Sequence, residues 1–174
     1  MKADGQLARK IESGEFIVTA EHAPATTATL TTTEAALKAL GGKLTAVNMG
    51  DNQHGVAMSS LAASVAALKS GLEPVLQMVT RDRNRIALQS DLLGAASLGI
   101  KNVLCLSGYH QTLIGCPEAT NVFDIDSTQF IGRGAPFSSF GEPPGGRLRR
   151  RSGSPSTIMR LIMFSSSRTL PGKR

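Results

Sequence analysis

The sequence predicts an α/β protein with parallel strands, because short apolar runs alternate with helix-period segments. Gly42, Gly71 and Gly99 each end a helical pattern, and they are spaced by 29 and 28 residues. An apolar run of strand type begins within a few residues of each glycine. A period of this length is typical of repeated strand–helix units, whose right-handed crossovers make successive strands parallel.

The predicted elements follow this repeat in chain order. Strands are predicted at residues 15–20, 44–47, 74–78 and 102–106. The first helix is predicted from Thr31, which has the capping-box spacing to Glu34. Later helices are predicted from near Ser59 and after Asn84, whose side chain can serve as the cap.

Two architectures accommodate such units, a doubly wound open sheet and a closed (β/α)₈ barrel. No glycine-rich dinucleotide fingerprint follows the first predicted strand, where Glu21 and His22 stand instead. Polar side chains follow all four predicted strands, and barrels carry their chemistry at the carboxyl ends of several strands. The sequence therefore favours a parallel (β/α)₈ barrel of the TIM type, truncated to about four units.

The net charge of +6 is unevenly distributed along the chain. Residues 132–174 contain nine basic residues and one acid, a net charge of +8, which leaves a net charge of −2 for residues 1–131. Five of the eight prolines and seven of the eighteen glycines lie after residue 130, where periodicity is lost. We therefore divide the chain into a body, residues 1–130, and an irregular basic tail, residues 131–174.

Two interpretations of the basic tail compete. An arginine-rich arm could bind nucleic acid or another acidic partner, and the chain would then be a non-catalytic fragment or interaction module. The tail contains neither Tyr nor Trp for stacking on bases. Its mixture of Arg, Gly, Pro and Ser is typical of GC-rich coding DNA read in a wrong frame. A fifth helix, capped by Asp126 or Ser127, is expected to break off where the pattern ends, and we favour the frame error.

The composition indicates a cytoplasmic protein. Cys105 and Cys116 are too few for a disulfide framework. Residues 1–13 lack the apolar core of a signal peptide, and no run of 18 residues is both uncharged and mainly apolar. His110 lies between the cysteines, but the spacing matches no common metal motif and Cys105 is expected to be a buried thiol. We expect neither a metal site nor membrane association.

Glu21 is the main candidate for acid–base chemistry, because it follows an apolar strand and would lie in a cleft at the strand end. Partial burial there would suit a general acid, whereas the alternative is a solvated loop carboxylate. Further polar residues at strand ends could line a ligand site or merely cap helices and solvate a rim: Asn48, Asp51, Gln77, Arg81 and Tyr109. These residues alone leave the choice open.

The body resembles the methylenetetrahydrofolate reductase family, in particular its compact bacterial members. The resemblance is carried by VTAEHAP at 18–24, DNQ at 51–53, RDRNRIALQSDLLGA at 81–95 and LSG at 106–108. The third of these segments is the most specific. The resemblance covers about residues 15–129 and does not extend into the tail.

The resemblance implies a flavoprotein that reduces 5,10-methylenetetrahydrofolate to 5-methyltetrahydrofolate, a step of one-carbon metabolism and methionine biosynthesis. It implies FAD as the cofactor, a folate substrate, and NAD(P)H or another electron donor. Glu21 matches the family's acid, which protonates a folate nitrogen and opens the five-membered ring. The implied flavin contacts are Asn48, Gln77, Ser107, Gly108, Tyr109, Phe123, Asp124 and Asp126.

The chain departs from the family in composition and in length. The family has Asp after the glycine of the fourth strand end, where this chain has Tyr109, and it usually has Thr and Cys where Val79 and Thr80 stand. A barrel needs about 250 residues, so four units lack part of the flavin and folate sites. Half a barrel also has unpaired edge strands. We therefore expect this truncated chain to hold FAD weakly and to associate with itself or a partner subunit, and the sequence leaves its activity open.

Overall fold

The computed structural model describes residues 5–134 and 160–163 as a parallel sheet with connecting helices. The strands are β1 (Thr19–His22), β2 (Ala46–Met49), β3 (Pro74–Val79), β4 (Asn102–Leu106) and β5 (Arg160–Met163). The helices are α1 (Gln6–Ser13), α2 (Thr31–Leu40), α3 (Ser60–Lys69), α4 (Arg85–Ser97) and α5 (Ser127–Gly134), and Gln111–Leu113 form a 3₁₀ turn.

The strands pair in chain order, β1 to β5, and every pairing is parallel. A doubly wound sheet reverses its strand order at a switch point, and these five strands show no reversal. Consecutive parallel order is the arrangement of a (β/α) barrel. The predicted fold class, a parallel α/β fold of truncated barrel type, is confirmed.

The outer face of the sheet packs against helices in two clusters. Val47 and Met49 of β2 pack with Leu37 of α2 and with the alanines of α3. The second cluster combines β3 and β4 with α4 and α5: Leu76, Met78, Val103, Cys105, Leu88, Leu92 and Phe130. Burial of these alternate strand residues removes apolar surface from water and holds the helices on the sheet.

The inner face of the sheet is covered at its amino-terminal end by α1, which the sequence analysis did not predict. Leu7 of α1 packs with an inner row of strand residues, Ala46, Val75 and Leu104. The first backbone N–H groups of α1 donate to the carboxylate of Glu73, which also accepts from Asn102 Nδ2 at 2.7 Å. A carboxylate is favourable at a helix N-terminus. Helix α1 is therefore anchored beneath the sheet, away from the carboxyl ends of the strands.

The position of β1 corrects the predicted first strand. The strand begins at Thr19, four residues after the predicted start, so Glu21 lies within β1 rather than after it. Pairing sets this register, because Thr19 lies beside Ala46 of β2. Phe16 is 87% exposed. The apolar run that suggested a buried strand therefore precedes the strand and is largely solvated.

The side-chain cap predicted at Asn84 for α4 is formed, and α3 begins next to Ser59, near its predicted start. Asn84 Oδ1 accepts from Ala87 N at 3.0 Å, and the hydroxyl of Ser59 accepts the corresponding bond of α3 at 3.3 Å. The capping box predicted for Thr31 is not formed. Helix α2 begins at that residue itself, and Leu30 stands at the cap position without a side-chain hydrogen bond.

The structure differs from the expected irregular tail at residues 131–134 and 160–163. Helix α5 develops as far as Gly134, because Asp126 and Gln129 form a reciprocal capping box. Residues 160–163 form β5 beside β4, and the apolar sequence Leu161–Ile162–Met163 suits a strand at that position. The rest of the predicted tail lies outside the described residues, and the boundary at 130/131 stays a prediction.

The helix-ending glycines provide a test of the repeat. Gly99 follows α4 with a φ of +83°, whereas Gly94 lies inside α4, and a Cβ at either position would meet no atom within 4 Å. We expect Gly99→Ala to lower the free energy of unfolding by about 1 to 2 kcal/mol, because only backbone conformation is strained. Gly94→Ala should raise it by up to about 1 kcal/mol. Urea unfolding measures both, and equal effects would contradict this explanation.

Candidate functional site

A cavity of about 690 Å³ lies at the carboxyl ends of β1 to β4, on the inner face of the sheet. Side chains two residues apart lie on the same face of a strand. Asn48 therefore lies on the inner face with Ala46, and Gln77 lies there with Val75. The cavity volume is that of a small-molecule site. Of the nine residues predicted as the acid or as flavin contacts, six line it, and so do the strand-end candidates Asp51 and Arg81. The six are Glu21, Asn48, Gln77, Ser107, Gly108 and Tyr109.

The carboxylate of Glu21 is held by two side-chain amides. Its Oε1 accepts a hydrogen bond from Gln53 Nε2 and another, of 3.4 Å, from Gln77 Nε2. Gln53 Nε2 also donates to Gln77 Oε1 at 3.2 Å. Glu21 is exposed rather than partly buried, because among the described strands β1 is paired only with β2. Gln53 is a site residue that the sequence analysis did not single out.

Asp51, by contrast, is buried and serves the structure of the loop. Its side chain is only 1% exposed. The carboxylate accepts from Val79 N at 2.9 Å and takes two hydrogen bonds, of 2.6 and 3.1 Å, from the guanidinium of Arg83. Burial opposes the charge of Arg83, but the hydrogen bonds and charge of Asp51 outweigh it and raise the pKa of Arg83. This ion pair joins the loop after β2 to the end of β3.

Arg81 forms a second buried clamp beside the cavity. Its guanidinium donates to Asp82 at 2.6 and 2.8 Å and to the carbonyl oxygens of Tyr109 and Asn52 at 3.0 and 3.1 Å. The hydrogen bond that Arg81 donates to Asp82 is the main cause that raises the pKa of Arg81. Partial burial opposes ionisation of Asp82, but its contacts with Arg81 lower the pKa of Asp82 overall. The loops after three strands are thereby fixed around one cation.

Gly108 permits the close approach of the β4 loop to this clamp. Its φ is +85°, and a Cβ there would lie 3.2 Å from the Cβ of Arg81 and 3.4 Å from that of Val79. The neighbouring Ser107 hydroxyl lies 3.2 Å from the Ser127 hydroxyl. Tyr109 follows at the rim of the cavity and is 63% exposed.

Three other predicted flavin contacts are not among the residues lining the cavity. The Asp124 carboxylate pairs with the Arg85 guanidinium at 2.7 and 2.8 Å and accepts from the backbone N–H that begins α4. Asp126 caps α5. Phe123 is partly exposed and has a φ of +40°. Their roles toward a flavin stay predictions.

The residues considered for metal binding, Cys105, His110 and Cys116, have separate surroundings. Cys105 is buried on the outer face of β4, and burial raises the pKa of its thiol to about 12. His110 Nδ1 instead lies 2.9 Å from the Thr112 hydroxyl. Within the described ranges, no group of three His, Cys, Asp or Glu side chains could hold a metal ion.

A barrel-type parallel sheet with a polar cavity at its carboxyl edge defines the class of α/β proteins that bind small ligands at strand ends. A family model described as methylenetetrahydrofolate reductase matches residues 6–113. The match spans more than half of the chain, and the chain belongs to this family of folate-related reductases. The predicted resemblance is confirmed. A comparison with curated proteins finds no match.

The matched region begins at α1 and ends at the 3₁₀ turn, so it contains β1 to β4 and the residues Glu21 to Tyr109 that line the cavity. In the described part of the chain, no helix is long and apolar enough to cross a membrane. The cytoplasmic location stays a prediction.

The buried Asp51 clamp predicts a large loss of stability. We expect Asp51→Ala to lower the free energy of unfolding by about 3 kcal/mol, because Arg83 and the Val79 N–H lose their buried acceptor. Asp91 provides the matched control, since it pairs with the same Arg83 at 3.1 Å but is 38% exposed. Asp91→Ala should cost less than about 1 kcal/mol. Chemical unfolding measures the free energy of unfolding of both variants. Equal losses would contradict the assignment of Asp51 as a buried structural clamp.

The buried Cys105 thiol predicts a loss of stability in alkali. Its pKa is about 12 in the folded chain against an ordinary 9.0, so only the unfolded thiol ionises as the pH rises above 9.0. Between about pH 9 and about pH 10, the wild-type chain should lose about 1 kcal/mol more unfolding free energy than Cys105→Ala. Parallel pH dependences of the two proteins would show that the thiol is not buried.

Proposed function

We propose that the chain provides the amino-terminal half of a flavin-dependent site that reduces 5,10-methylenetetrahydrofolate to 5-methyltetrahydrofolate. The observation that carries the proposal is the cavity around an exposed acid, Glu21, with amide, hydroxyl and backbone groups from three further strand ends. Family membership supplies the reaction class. The cavity supports the proposal that substrate and cofactor meet at this edge of the sheet.

The donor set of the cavity fits a flavin ring. Such a ring has carbonyl oxygens and ring nitrogens at its edge and apolar faces. The side chains of Asn48 and Ser107 offer hydrogen-bonding groups, and Leu104 and Leu106 offer apolar surface in the same cavity. Tyr109 adds an aromatic ring at the rim. We infer that these residues would hold the flavin of FAD, which supplies the hydride when bound.

The fit is to the ring rather than to the phosphates of FAD. Arg81 is the cation among the described lining residues, and its guanidinium is engaged with Asp82 and two backbone carbonyls. Arg83 is likewise engaged with Asp51. The described half-site therefore supports weak retention of the dinucleotide, as expected for a chain that supplies part of a barrel.

Glu21 provides the proton in this proposal. Its carboxyl group is exposed at the open end of the sheet, where a folate ring can reach it. Transfer of its proton to a ring nitrogen lets the bond between that nitrogen and the one-carbon unit break, and the resulting iminium carbon accepts the hydride. A positioned acid of this kind contributes about 10²- to 10⁴-fold to a rate.

The edge of β1 supports the further proposal of association with a second copy or a partner subunit. Phe16 and Val18, directly before the strand, are 87% and 42% exposed. Among the described strands, β1 has a neighbour on one side only. Unpaired strand edges beside exposed apolar side chains favour association. The electron donor, NAD(P)H or another reductant, stays a prediction.

Glu21→Gln tests the proposed acid with the full chain at saturating FAD. The flavin is reduced anaerobically, the folate is added, and stopped-flow absorbance follows flavin reoxidation. We expect the variant to bind FAD like the wild type, and its flavin to be reduced equally well. Reoxidation of the flavin by folate should be at least about 100-fold slower, because glutamine cannot donate the proton that Glu21 provides. Glu12→Gln, an exposed carboxylate of α1, is the matched control. The proposal would be refuted if folate reoxidised the flavin of Glu21→Gln at the wild-type rate, or if folate did not reoxidise the wild-type flavin.

A further inference from the structure

The side chain of Gln53 connects two strand ends through one amide group. Gln53 lies in the loop between β2 and α3, and its Nε2 donates both to Glu21 of β1 and to Gln77 of β3. Gln77 is 2% exposed, and its backbone oxygen accepts from the Ser60 hydroxyl at 2.8 Å. The amide of Gln53 is thus braced against a fixed, buried partner while it holds an exposed carboxylate.

The loop that carries Gln53 is itself rigidly anchored. The preceding Asp51 is bound by Arg83 and by the Val79 N–H. Asn52 has a φ of +48°, its carbonyl accepts from Arg81, and its Oδ1 accepts from Ala57 N at 3.1 Å. Groups that are locked by such supporting contacts can hold a reacting group in productive geometry.

The contacts leave the two oxygens of Glu21 in different environments. Oε1 accepts from the amides of Gln53 and Gln77. In the described part of the chain, no hydrogen bond reaches Oε2. An oxygen that already accepts two N–H groups has little room for a proton, since the O–H hydrogen would face those donors. The proton of the acid therefore belongs on Oε2.

We propose that Gln53 is a positioning residue, which fixes Oε1 of Glu21 so that Oε2 carries the proton and is presented to the substrate. This assignment rests on the proposed function of Glu21. In this assignment Gln53 acts through the carboxyl group of Glu21, which it contacts. Gln77 alone is a weaker anchor, because its bond to Glu21 is 3.4 Å long, at the outer limit for a hydrogen bond.

The first arm of the experiment is independent of activity. The side-chain amide signals of Gln53 and Gln77 are followed by NMR across pH in the isotopically labelled full chain. We expect both signals to move with one common midpoint as Glu21 gains its proton, and we expect Glu21→Gln to abolish that movement. The positioning role would be overturned if the amide signals had the same pH dependence in the wild type and in Glu21→Gln, whether or not the chain reduces folate.

The second arm measures folate-dependent reoxidation of the reduced flavin. Gln53→Leu has a similar size but no donor, and it should lower the maximal rate at least about tenfold while flavin binding and the half-saturating folate concentration stay within about twofold. Gln53→Glu should be at least as slow, because its carboxylate repels Glu21. Val56→Ala, 75% exposed in the same loop, is the control and should match the wild type.

The two arms separate this proposal from the function on which it rests. Coupled amide signals in a wild-type chain without folate reduction would support the Gln53 contact and refute the proposed reaction. Folate reduction by the wild type, with Gln53→Leu equally fast, would refute the positioning role and leave the reaction standing. Slow reoxidation by Gln53→Leu together with uncoupled amide signals would indicate a merely structural effect and also overturn it.

Discussion

Parallel pairing in chain order is the constraint on which this structure depends. Each strand must be followed by a crossover before the next can pair beside it, so every carboxyl end lies at one edge of the sheet. That edge joins Glu21 and Gln77, which are 56 residues apart in the chain. Glycines with positive φ end the helices and return the chain to the sheet. The cavity follows from this arrangement.

Charged and neutral polar groups have separate tasks around the cavity. The guanidinium groups of Arg81 and Arg83 are neutralised by Asp82 and Asp51, and these pairs fix the loops. The acid Glu21 is held by amides instead. The amides contact only Oε1, so Oε2 is left for proton exchange in the proposed reaction. The two ion pairs therefore fix the loops around the cavity and do not involve the carboxylate of Glu21.

Prediction from sequence was accurate for β3 and β4. It placed β2 two residues too early, at 44–47 rather than Ala46–Met49, and it was poorest for the edge strand β1. The predicted β4 coincides with the structure and β3 ends one residue later, because their apolar runs are buried beside two neighbours. The first strand was misplaced, since Phe16 is apolar but exposed and the register of β1 depends on β2. Helix α1 was missed because it is held by a distant carboxylate, Glu73, rather than by a local signal.

The sequence by itself determined the repeated strand–helix unit, the glycines that end its helices, the family, and six residues of the cavity. These features depend on local periodicity, backbone conformation and short motifs. Tertiary structure alone decided that Glu21 is exposed, that Asp51 belongs to a buried clamp, and that Gln53 holds the acid. The first depends on the edge position of β1 among the described strands, and the other two depend on contacts between residues 24 to 32 positions apart. No local pattern encodes either.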